Sequence, residues 1–477
     1  RATADDIDPS RTYGAPSLAI DPANPLNVVG AYAELRTRRC GLIRSTNGGQ
    51  TWARLTANSP SPAGYPFCFY PAQRATQAAL AFGSKGTLYY ALSGWDDADG
   101  GPSRGNLSVF LARSTDLGDT WTITKVHDAR GKEGDNIEQN RPIVGLAVDT
   151  SKATDVVYVA FNRRQTTAVP PQSMLSVSTD GGATFAPPVN AIAAHFQDKA
   201  NRDEQLRTTS TTATPTTPTT APARPVDDPL NFGGNATAIT VDGAGRVYLA
   251  WVTFAPGVQP RPFDAAFVSR SPDQGKTFTV SAVHTSGADM GNSFGTPRLA
   301  WAPAGGADGT LHVVYQSTTR PEITRENDIF YKRSTDGGRT WSERQILNDD
   351  DPAGFYISVY PSISVAANGR IDVAWFDTRD DPGIAANDVY YTYSTDNGAT
   401  WSRNLRMSDR TIDRRIGPWA NNSDTNAPPG IVSSDAYALV AWDDTRNGDP
   451  VGQAQDIYTS AVQHAAVGTT SSDIPAH

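Results

Sequence analysis

The residues best suited to chemistry are arginines in short groups. Arg36, Arg38 and Arg39 stand together, Arg163 and Arg164 are adjacent, and Arg141 and Arg320 each lie in a polar segment. A guanidinium fork donates two parallel hydrogen bonds to a carboxylate or sulfate, so converging arginines suit an anionic ligand. Each also has acidic neighbours, Glu34, Asp96, Asp97 or Glu138, and a local ion pair is the plainer use of any one of them. Arg379 is a further candidate, within Trp375-Phe376-Asp377-Thr378-Arg379. The near copy Trp442-Asp443-Asp444-Thr445-Arg446 favours a loop staple, in which Asp and Arg pair locally.

Other chemistries are weakly signalled. Asp96-Asp97-Ala98-Asp99 and Asn348-Asp349-Asp350-Asp351 have the composition of calcium loops, but neither has EF-hand spacing. No cofactor is expected beyond that faint calcium signal. The six histidines are scattered without metal-ligand spacing. Gly291-Asn292-Ser293-Phe294-Gly295 matches a nucleophile elbow, which needs a strand-to-helix turn that a β-rich chain does not offer.

What must position these residues is a repeat. The octapeptide S-x-[DN]-x-G-x-T-[WF] begins at Ser45, Ser114, Ser178, Ser271, Ser334 and Ser394. Before each copy stand β-rich runs joined by turn residues, as in Ser362–Val365, Asn368-Gly369 and Ile371–Trp375. A third run leads into the octapeptide and a fourth leaves it. Four short antiparallel strands per repeat make one propeller blade. Ile431–Ser433, Ala438–Trp442 and Ile457–Val462 add a seventh copy without the octapeptide.

The expected fold is therefore all-β, a seven-bladed propeller of four-stranded antiparallel blades, with six blades as the alternative. It spans residues 1–463 as one domain, with a tail at 464–477. The segment before Pro16 is expected to supply blade seven's missing strand. A Thr/Pro-rich loop insertion at about 197–230 interrupts the array, since such a composition cannot bury a core.

Within the octapeptide, Asp or Asn bonds nearby backbone, Gly takes a left-handed turn position, and Trp or Phe anchors the hairpin. By strand alternation the octapeptides share a face with the turns joining first and second strands. The opposite face carries the second-to-third loops and the links into each first strand. There Arg141, Arg163, Arg164 and Arg320 converge, and loops on a rigid scaffold are where function is displayed.

The octapeptide resembles the Asp-box (BNR) repeat of the sialidase superfamily, and the resemblance runs through nearly the whole chain. It implies a glycan ligand and, for an active member, a Tyr nucleophile with a Glu partner, an Asp acid–base and an arginine triad. Tyr360-Pro361-Ser362-Ile363 resembles the nucleophile segment, with Glu322 or Glu326 as partner and Asp96 as a further carboxylate. Two departures stand out. Gly14 occupies the place of the family's first arginine, and no Glu occurs between Gln205 and Pro321. The function expected first is a secreted sialidase-like glycoside hydrolase acting on an acidic or decorated glycan, with a non-catalytic glycan- or protein-binding propeller as the alternative and a polysaccharide lyase as the second alternative.

Composition sets the remaining limits. A net charge of −9 and a pI near 5.2 disfavour nucleic acid as partner. No apolar run approaches the roughly 18 residues of a membrane span. A secreted monomer is expected, with Cys40 and Cys68 paired as a disulfide.

Overall fold

The computed structural model describes residues 13–34, 39–55, 69–70, 74–75, 78–95, 107–128, 136–137, 144–164, 172–193, 238–254, 263–285, 297–305, 307–318, 327–381, 383, 385–417, 427–448 and 454–464. These form seven antiparallel blade sheets in chain order and one two-stranded sheet, Phe69–Tyr70 with Arg74–Ala75, and the only helical element among them with defined bounds is the 3₁₀ turn Ser84–Gly86. Blade one is typical, with Tyr13–Ile20, Val28–Glu34, Arg39–Ser45 and Ala53–Arg54 hydrogen-bonded in sequence. Seven blades, not six, make the ring.

Blade seven has three strands among the described residues, Gly430–Ser433, Tyr437–Asp444 and Asp456–Gln463. Tyr13–Ile20 forms the inner strand of blade one, so Tyr13, Gly14 and Ala15 are not an outer strand of blade seven. Residues 1–12, which were also expected to close the ring, lie outside the described residues. The two ends of the array nevertheless meet. Tyr13 N donates to Gln455 O (2.9 Å), Gln455 Nε2 donates to Tyr13 O (2.8 Å), and Trp52 Nε1 donates to Thr459 Oγ1 (3.2 Å).

Sequence explains why the blades pack. Four residues beyond the one paired with the octapeptide serine, the second strand carries Tyr32, Leu92, Phe161, Trp251, Tyr315 and Trp375 in blades one to six. All six are buried. Period-two alternation sends neighbouring side chains to opposite faces of a blade, so each sheet contributes to two inter-blade cores. Val157, Val159 and Phe161 pack with blade two, whereas Tyr158 and Ala160 pack with blade four.

The octapeptides behave as self-contained loop clamps. The serine hydroxyl donates to the Asp or Asn side chain at 2.6–2.9 Å and accepts from the glycine N–H at 2.7–2.9 Å in all six. Gly48 N donates to Leu26 O and Gly181 N to Asp155 O, bonds to the first-to-second turn of the same blade. The octapeptides therefore lie on the face of those turns.

Candidate functional site at the axis

The seven inner strands surround a cavity of about 240 Å³ on the propeller axis. Its lining is mostly small or apolar, including Ala78, Gly145, Ala238 and Gly430, because only such residues let seven strands approach one axis. Arg298 is the one charged side chain among the described lining residues. It opens the inner strand Arg298–Ala302 of blade five, and so stands at the end remote from the octapeptides. Burial pushes its guanidinium down to about 10. Its side chain is only partly shielded from solvent, and a cation at such a mouth attracts an anion more strongly than an arginine in open water does.

Two inner strands open with a bulge followed by proline. In blade one the register passes from Gly14↔Ala33 to Ser17↔Ala31, leaving Ala15 and Pro16 opposite Tyr32. In blade six it passes from Val359↔Phe376 to Ser362↔Ala374, leaving Tyr360 and Pro361 opposite Trp375. Ala15 (φ 53°) and Tyr360 (φ 55°) both adopt left-handed backbone, which costs a non-glycine residue about 1–3 kcal/mol. The extra residue redirects the side chain.

Tyr360, the residue that resembles the family's nucleophile, does not face the axis, because the bulge turns it elsewhere. Its side chain is 5% exposed, is absent from the cavity lining, and belongs to the core between blades six and seven with Phe376 and Trp442. Its N–H donates to Gln316 Oε1 at 2.8 Å. Gln316 and Asn162 share a register position, five residues beyond the partner of the octapeptide serine. Both are buried, and Gln316 Nε2 and both amide atoms of Asn162 have no hydrogen-bond partner among the described residues.

Arg379 is occupied as a staple and is not open to substrate. Its guanidinium bonds Asp377 (2.8 Å), Asp349 (2.7 Å) and Asn404 (3.1 Å), and lies 4.1 Å over the Tyr390 ring. Asp377 also accepts from Trp375 Nε1 and Ser358 Oγ, each at 2.9 Å. Blade seven repeats the arrangement with Arg446, Asp444, Asp409 and Tyr458. Arg163 sits at the end of the second strand of blade three and donates twice to Gln172 Oε1 (3.1 and 2.8 Å). Arg164 ends the same strand, paired with Asn136.

Asp96, Arg141, Arg320, Glu322 and Glu326 lie outside the described residues, as does Cys68; Cys40 is disulfide-bonded. In the second acidic cluster, Asp349 accepts from Asn404 N as well as Arg379, and Asp350 accepts from Asn348 Nδ2. No group of three acidic, His or Cys side chains suited to a metal occurs among the described residues. No helix among them is long and apolar enough to cross a membrane.

Arg298 is the residue that sequence reasoning missed. A proline precedes or enters the inner strand in several blades, at Pro16, Pro142, Pro297, Pro361 and Pro429. The residue after it reads Ser17, Ile143, Arg298, Ser362 and Gly430, a column with one charge. That column was the available signal.

The BNR/Asp-box repeat model matches residues 392–403, the octapeptide of blade six with its flanks. No curated protein matches the chain. Among solved structures, the GH93 α-L-arabinofuranosidase of Fusarium graminearum with arabinobiose is 15% identical, covering 77% of this chain and 88% of that one with a TM-score of 0.43. A Hadza microbial sialidase is 14% identical over 93% of this chain and 74% of its own, at a TM-score of 0.44. The ulvan lyase of polysaccharide lyase family PL25 is 12% identical over 96% and 97%, at 0.47. These are distant likenesses, and the reading below stands without them.

Proposed function

We propose that this chain is a secreted, glycan-binding Asp-box propeller that holds an anionic sugar at the axial mouth, on the face away from the octapeptides. Arg298 carries the reading. It is a partly buried cation at the head of a channel whose other described lining residues bear no charge. A sugar carboxylate or sulfate would meet its fork there, while the Ser17 and Ser362 segments of the lining suit hydroxyls.

Hydrolysis through Tyr360, with Glu322 or Asp96 as partner, is the second reading. One observation favours it, the left-handed backbone of Tyr360, because strain of this kind gathers at active sites. Ala15 has the same conformation in the equivalent bulge, and its methyl group has no chemistry, so the bulge itself accounts for the strain. Binding therefore leads.

The test is a panel of sulfated, carboxylated and neutral glycans with product analysis. Acidic glycans should bind without turnover, and Arg298→Gln should weaken them about tenfold or more, the worth of one charge-assisted hydrogen-bond pair. Tyr360→Phe should leave binding unchanged. New reducing ends that vanish in Tyr360→Phe would establish hydrolysis, and unsaturated products would establish elimination.

A further inference from the structure

A second pocket lies where blade seven, the blade without an octapeptide, meets blade one. In blades one and three the octapeptide's second glycine lies against the preceding blade, Gly49 on Leu439 and Gly182 on Leu111. In blade seven the third strand ends on a bond to its own turn, from His464 N to Ala436 O (2.7 Å), and the sequence offers no octapeptide there. Beside it lies a cavity of about 600 Å³, between the first turns of blades seven and one, the octapeptide of blade one at Asn47, Gly48 and Gln50, and the end of blade six's inner strand. That is the size of a small-molecule site.

Its chemistry differs from that of the axial mouth. Pro22, Pro25, Leu26, Val365 and Tyr437 give it apolar walls, and Leu26 is 52% exposed. The charged lining residues described are Asp21 and Asp435, with no Lys, Arg or His. Asp21 is committed to its own turn through Ala23 N (2.9 Å) and Asn27 Nδ2 (3.4 Å). Asp435 is exposed and gives only Oδ1, to Asn368 N (2.7 Å). The nearest guanidinium, Arg370, bonds the Asp435 carbonyl while its charge is met by buried Asp372 (2.9 Å). Ser433, buried in the same wall, has a hydroxyl without a partner.

We propose that this gap is a binding site for a small apolar amine, its hydrocarbon part against the proline and tyrosine walls and its ammonium beside Asp435. The site is independent of the axial one and stands whether or not the axial reading does.

Saturation-transfer NMR with phenethylamine and its anionic counterpart, phenylpropionate, tests it on the full chain. Phenethylamine should bind about threefold more tightly, the worth of an exposed ion pair. Asp435→Asn should remove that preference, and Ala367→Trp, at an exposed lining position, should abolish binding with the thermal midpoint unchanged. Ala436→Phe, also exposed and lining, serves if the first filled variant does not fold. Arg298→Gln should change nothing here. Failure of phenethylamine to bind, equal binding of the two probes, or binding that survives both filled variants would overturn the proposal.

Discussion

Replacing Asp396 separates what the octapeptide carboxylate does by charge from what it does by shape. Its oxygens accept from Ser394 Oγ (2.8 Å), Ala399 N (3.0 Å), Thr400 N (2.9 Å) and Thr400 Oγ1 (2.6 Å). Blade one performs the same task with Asn47. There Oδ1 accepts from Ser45 Oγ and Thr51 N, both at 2.9 Å, and Nδ2 donates to Thr51 Oγ1 at 2.8 Å. Asn at position 396 therefore keeps the loop and reverses one hydroxyl, whereas Ala loses four bonds. The loop is exposed and water replaces much of what is lost, so Ala should cost about 2 kcal/mol and Asn under about 1. Native-state hydrogen exchange reads this locally, at the loop itself. The amide of Gly398, which donates to Ser394 Oγ (2.9 Å), should exchange about 30-fold faster in Asp396→Ala and only a few-fold faster in Asp396→Asn. The Thr400 hydroxyl, with Thr400 N and Ser394, holds the Asp396 carboxyl at about 2. Its contribution is thus complete above the ordinary carboxylate range and fades as pH falls from about 4 towards 2. Asp396→Asn should lack that fading. Equal exchange in the two variants would refute the clamp.

Three further outcomes follow from buried charge. His312 is fully buried with Nδ1 2.7 Å from Tyr331 Oη, and burial, with Arg333 nearby, pushes it down to about 3. The unfolded chain takes up that proton first, so stability should fall below about pH 6.5, by about 2 kcal/mol at pH 5. Urea midpoints across that range should show a shallower slope in His312→Asn, and identical slopes would refute the assignment. Arg370→Met should cost about 3–5 kcal/mol by stranding Asp372, and Arg370→Met with Asp372→Leu should recover most of it in the same urea titration. Arg446→Met leaves buried Asp444 with the Trp442 indole N–H (3.1 Å) and the backbone N–H of residue 446 (2.9 Å), and its other partner Asp409 is exposed, so in the same titration it should cost less than Arg370→Met.

The propeller was legible because each octapeptide is specified by bonds within eight residues. Ser, Asp, Gly and Thr satisfy one another locally, so their spacing survives in the sequence whatever surrounds them. The staple was legible for the same reason, since Asp377 and Arg379 meet two residues apart, and Asp444 and Arg446 repeat them. Tyr360 was misread because its direction depends on a bulge that shifts strand register by one, and a one-residue slip sends a side chain to the other face. Arg298 was missed because the axis is assembled from seven distant strands, and no local pattern marks which residue of each faces it.

The two cavities show how a repeat acquires function by breaking its own symmetry. Seven equivalent inner strands would give a neutral channel of small residues, and most of the described lining is that. One arginine in blade five gives it a sign. The opposite face carries six octapeptides, and beside blade seven, the blade without one, lies a pocket whose exposed charge is a carboxylate. The departures from the repeat thus place opposite charges on opposite faces of one ring. An anionic glycan and an apolar amine should consequently bind together without competition, each displaced only by the variant at its own departure. Mutual exclusion of the two ligands would show that the ring couples its faces and that local charge does not account for both sites.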